Sequence, residues 1–205
     1  LSCRPEMVNN TGGQRGFVRG IVDNVYLLWL VLTLPAIYIL AQFFVLHGRV
    51  PYVPLKGEIS GWLLIVTMMI TPLMLLVGPL PWLKARRRYL GVASFGYACL
   101  HLFFWLTGAN MGVLIRSFER VDILVGWIAM GLFVLLALTS NDSSVRAMGR
   151  KWKSLQRWVY PAAILTFVHW VMTTDKIAWA VIYCLPLIAL SVWRVLRART
   201  RMSRV

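Results

Sequence analysis

Apolar residues in this chain come in six blocks, each parted from the next by a short polar or basic segment. The blocks run from Asn24 to about Leu46, Ile59 to Leu80, Tyr89 to Thr107, Ile123 to Thr139, Trp158 to Thr173 and Ile177 to Trp193. At about 1.5 Å per residue, a helix of roughly 20 residues crosses the ~30 Å hydrocarbon core of a bilayer. The pattern therefore predicts an all-α protein, a six-helix transmembrane bundle. Pro35 is expected to kink the first span, and Pro72, Pro79 and Pro81 to close the second. Gly48-Arg49-Val50-Pro51 and Thr174-Asp175-Lys176 read as turns. Trp62 and Trp82 stand where interfacial anchors belong.

Composition supports this reading: 59% of the 205 residues are hydrophobic and only seven are acidic. A net charge of +15 raises the question of nucleic acid, but the basic residues are confined to the segments between apolar blocks. There they orient a membrane protein. With the N-terminus, loops 2–3 and 4–5 and the C-terminus on one side, that side holds 17 of the 22 Lys and Arg residues. The bias predicts both termini in the cytoplasm and no nucleic-acid partner. The expected layout is a cytoplasmic segment over 1–23, one transmembrane domain over 24–193 and a basic cytoplasmic tail over 194–205. Residues 1–20 lack the apolar core of a signal peptide, and Thr11-Gly12-Gly13-Gln14-Arg15-Gly16 lacks the strand and Lys-Ser/Thr of a phosphate loop. Cys3, Cys99 and Cys184 form no CxxC or CxxCH, so neither a zinc site nor covalently attached haem is indicated.

Ionisable side chains at membrane depth are expensive and point to function. His101 lies 12 residues into the third block and His169 lies 11 into the fifth, so both sit about 16–18 Å from the same side. Such a pair suits axial ligands on opposite faces of one haem. Gly91, Ser94 and Ala98 share the His101 face, and Ala162 and Thr166 share the His169 face with Trp158. Small residues there leave room for a flat macrocycle, but they equally let bare helices pack closely with the histidines hydrogen-bonded between them. Spacing alone leaves both readings open, and with the second a haem-free scaffold or small-molecule carrier. No internal repeat supports a carrier, and Pro35, Pro72 and Pro161 do not occupy corresponding positions. His47, at the end of its block, reads as a headgroup-level residue.

The ordered set Thr71-Pro72-Leu73, Arg87-Arg88-Tyr89-Leu90-Gly91, Tyr97-Ala98-Cys99-Leu100-His101, Ala137-Leu138-Thr139-Ser140, Gly149-Arg150-Lys151-Trp152, Tyr160 and His169 resembles the ferric-reductase-like transmembrane superfamily. Within it, the chain is most similar to the MsrQ/YedZ group of haem-binding subunits serving a periplasmic methionine-sulfoxide reductase. The resemblance implies a bacterial inner-membrane protein with haem b on His101 and His169. It also implies one-electron transfer across the membrane from a cytoplasmic flavin reductase (with FMN) or quinol, and an acceptor protein on the far side. The chain departs from the family at Leu155-Gln156, where Leu-His is usual, and at Arg87 and Arg88 on the third span. Without inner imidazoles, a second haem held in the usual way is not expected. The Arg-Pro-Tyr usual before the fourth span is replaced by Val121-Asp122-Ile123-Leu124-Val125-Gly126.

Overall fold

The computed structural model describes residues 24–45, 53–175 and 177–202. His47 and Lys176 therefore lie outside the described residues. All described elements are helical: α1 (Val25–Val45), α2 (Val53–Val77), α3 (Pro81–Gly108), α4 (Met111–Arg116), α5 (Val121–Leu138), α6 (Asp142–Met148), α7 (Arg150–Gln156), α8 (Val159–Thr173) and α9 (Ile177–Met202). Residues 1–49 and 50–205 form separate compact units. In the first, the Asn24 side chain caps α1 by accepting from the Tyr26 N–H at 2.9 Å. Pro35 lies inside this helix, and Thr33 Oγ1 donates back to the Trp29 carbonyl at 2.8 Å.

Among the described residues, four helices are long and apolar enough to cross a membrane: Val25–Val45, Gly57–Val77, Pro81–Gly108 and Val121–Leu138. Only four of the six expected spans thus meet that standard. With 15 residues, α8 rises about 22 Å, and Ile177–Leu190 of α9 is a shorter apolar stretch among the described residues. The boundaries also differ from the sequence pattern. Lys84 to Arg88, expected as a loop, are the opening turns of α3. Proline is favoured at the first helical position, and Pro81 starts the helix there; the Leu, Lys, Ala and Arg residues that follow are good helix formers. The loop before α8 winds into α6 and α7, divided at Gly149, whose φ of +51° suits glycine. The Arg-rich segment after Trp193 continues α9 as far as Met202.

In the second unit, α2 packs along α3 and α5 along α8, while α9 lies against α2 and touches α8. Two serines lock the first pair. Ser60 Oγ donates to the Ser94 carbonyl and Ser94 Oγ donates to the Ser60 carbonyl, both at 2.9 Å and both buried. Small side chains permit that close approach, and the hydrogen bonds reward it where no water competes. Leu64, Met68, Phe133, Leu136 and Ala162 form a core between α2, α5 and α8. At the basic end of the bundle, Arg87 donates to Thr71 Oγ1 at 3.1 Å, and Arg88 pairs with Asp142 across α3 and α6. Large apolar side chains such as Leu138 and Ile164 face outward, as a bilayer permits.

Replacing Ser94 with Ala removes one of the paired α2–α3 bonds. It is expected to lower stability by roughly 1 kcal/mol, read as an earlier unfolding midpoint of the detergent-solubilised protein. The Arg88 guanidinium holds the Asp142 carboxyl below the usual carboxylate range. A depressed carboxyl favours the folded state above its ordinary pKa, and that contribution is lost as pH falls through the lowered value. An NMR titration of Asp142 should therefore move up toward the ordinary range in Arg88→Gln.

Candidate functional site

A cavity of about 580 Å³ opens at the end of the bundle away from the basic helices, among α2, α3, α5 and α8. It falls within the 300–1,000 Å³ range of ligand and cofactor sites. His101 reaches its wall from α3, seven residues before that helix ends, and His169 from α8, four residues before its end. Ala98 and Thr166 line it too, with Thr166 Oγ1 turned onto the Ala162 carbonyl at 2.8 Å. The other three residues of the small faces do not line the cavity. Gly91 faces Thr67 on α2, Ser94 is occupied in the serine lock, and Ala162 is fully buried in the core.

Three glycines shape the wall, and the sequence pattern did not single them out as site residues. A Cβ on Gly57 would lie 3.1 Å from His101 Nδ1, and one on Gly61 would lie 3.0 Å from the Trp170 ring. One on Gly126 would lie 2.8 Å from His169 Cε1 and 2.9 Å from its Nδ1, closer than real side chains approach. Each ring thus rests against bare helix backbone. The signal was present as Gly57 and Gly61 four apart on one face of α2, and as Gly126 in a run of bulky residues.

His169 is further fixed by its Nδ1, 2.7 Å from the Asp122 main-chain carbonyl. A carbonyl only accepts, so Nδ1 carries the proton and Nε2 keeps a free lone pair, the form in which imidazole binds metal. Aromatic residues complete the enclosure. Trp105 and Trp127 meet edge to face, with Phe118 stacked behind Trp127, and Trp127 Nε1 reaches Ser117 Oγ at 3.4 Å. On the other side Trp170 stacks on Tyr183 of α9. The mouth is polar, with Glu58, Asp175 and the Arg120–Asp122 ion pair around it.

One departure from the family pattern, Gln156, is also accounted for. Gln156 Nε2 donates to the Leu136 carbonyl at 3.3 Å and to Thr139 Oγ1 at 3.2 Å, closing the end of α5 together with Trp152, which donates to the Thr139 carbonyl. The core around Ala162 fills the space between this cap and the cavity. Among the described residues no three His, Cys, Asp or Glu side chains cluster to hold a bare metal ion. The donor set is two imidazoles on an aromatic-walled cavity. That set fits a flat, iron-centred macrocycle that brings its own equatorial ligands.

Fold and site together define a helical integral membrane protein with paired histidines on one buried chamber. The comparisons with known proteins give the family: residues 56–167 match the ferric reductase like transmembrane component, and the chain belongs to that family. It is 32% identical over 200 residues to the protein-methionine-sulfoxide reductase heme-binding subunit MsrQ of Brucella anthropi, covering 92% of this chain and 89% of that relative. The Brucella ovis protein of the same name is 38% identical over 143 residues. That match takes in 67% of this chain and 64% of the relative's length, slightly under two thirds. No solved structure matches.

A side chain at Gly61 should displace Trp170 from its stack on Tyr183. Gly61→Val is expected to destabilise the protein by about 1–3 kcal/mol, the usual effect of overpacking. Gly96→Ala, where nothing lies within 4 Å, should leave the thermal midpoint nearly unchanged.

Proposed function

We propose that the chain is a membrane electron carrier that holds one b-type haem between His101 and His169. When bound, the haem supplies a one-electron ferric/ferrous couple. The observation that carries this reading is the placement of both imidazoles on one chamber, each ring backed by a glycine, with His169 held in the metal-binding tautomer. The names of the Brucella relatives agree with it, since both are heme-binding subunits. Trp105, Trp127 and Trp170 line the chamber, and Arg120 at its mouth offers a cation to propionates.

The remaining parts of the proposal follow from charge and topology. Six spans with both termini cytoplasmic put the basic helices α6 and α7 inside the cell and the chamber mouth on the far side. Donors are then a cytoplasmic flavin reductase, with FMN, or quinol, and the acceptor is a protein outside the inner membrane. The methionine-sulfoxide reductase system of the relatives supplies the class of acceptor. The capped inner end, with Gln156 and Arg87 committed to Thr139 and Thr71, supports a single haem.

Purified protein is expected to contain one haem per chain by pyridine haemochrome assay, with a dithionite-sensitive Soret band. His101→Ala and His169→Ala should each reduce haem content at least tenfold, since losing even a partner behind a metal ligand costs about 10–100-fold in affinity. Full haem content in the double variant would overturn the assignment.

A further inference from the structure

We propose that Gly126 is a positioning residue that holds the His169 ring on the Asp122 carbonyl, and that this bond keeps the potential of the bound iron low. The inference rests on the haem reading above and goes beyond it, by assigning a residue that is not a ligand a part in setting the haem's redox behaviour.

The geometry leaves little freedom. His169 Cε1 and Nδ1 lie 2.8 and 2.9 Å from where a Cβ on residue 126 would stand, so any side chain there must push the ring away. The same ring approach brings Nδ1 to 2.7 Å from the Asp122 carbonyl, in the first turn of α5 and one helical turn before Gly126. Absence of a side chain at 126 and the hydrogen bond at 122 are therefore one device, built from two positions four apart on one helix. A ligating imidazole that donates its second N–H to a carbonyl is more basic and fixed in orientation. A more basic ligand favours ferric over ferrous iron and lowers the potential. Gly131, on the same helix, has nothing within 4 Å of its would-be Cβ and provides the control.

The test uses the full chain, haem-loaded and in detergent, and measures haem per chain, the low-temperature EPR spectrum and the midpoint potential. Gly126→Ala should shift the largest g value and raise the potential. The expected size is about tenfold in the ferric/ferrous equilibrium, or roughly 59 mV for one electron. Gly131→Ala should change neither. A second variant replaces the amide between Asp122 and Ile123 with an ester, weakening the carbonyl as an acceptor without adding volume; it should raise the potential in the same direction. A haem-loaded Gly126→Ala protein with unaltered g values and potential would overturn the inference while leaving the haem assignment standing. If Gly126→Ala loses haem, the ester variant decides, and an unshifted potential there overturns the inference. A wild-type chain that takes up no haem overturns the haem reading, and this inference with it.

Discussion

The contact on which the second unit turns is an aromatic ring laid directly on helix backbone. An imidazole inside a membrane protein must find partners for both nitrogens, because hydrocarbon offers none. For His169 one partner is the Asp122 carbonyl, reachable only because Gly126 has no side chain. The His101 and Trp170 rings likewise rest on Gly57 and Gly61. Three rings and three glycines thus set the spacing of α2, α3, α5 and α8 around the chamber. They also keep it open where ordinary helix packing would close it.

The two ends of the bundle are built on opposite principles. Towards the chamber mouth, helices are held apart by rings, and polar groups gather at the rim. Towards the basic end, side chains fill the interior, and the ends of helices are closed by hydrogen bonds from Trp152, Gln156 and Arg87. Gln156 is particularly informative. An amide can donate to two oxygens at once, and here it does so at the C-terminal end of α5, where the last carbonyls of a helix lack intrahelical partners. The residue at this position serves the fold.

Membership of the ferric reductase like family agrees with the site as a physical object. A chamber with two histidines and aromatic walls has no set of three ligands for a bare metal ion among the described residues. The residues present fit a group brought into it, to which the protein would supply enclosure, orientation and field. The basic surface at the other end, tied by the Arg88–Asp142 pair, is where anionic lipid headgroups would gather.

Hydropathy alone determined that this is a helical membrane protein, because runs as apolar as these have no other stable environment. The spacing of His101 and His169 within their blocks was enough to nominate them as a pair. It was not enough to choose between a cofactor and simple packing, since small residues beside them serve either. Tertiary structure decided how the small residues divide. Ala98 and Thr166 line the chamber, whereas Gly91, Ser94 and Ala162 bring helices together, because faces that share a helical stripe meet different neighbours along its length. It also revealed Gly57, Gly61 and Gly126, whose importance lies in what packs against them from other helices. Their spacing and bulky neighbours marked these positions in the sequence, but the meaning of a missing side chain emerges only once the ring that fills its place is known.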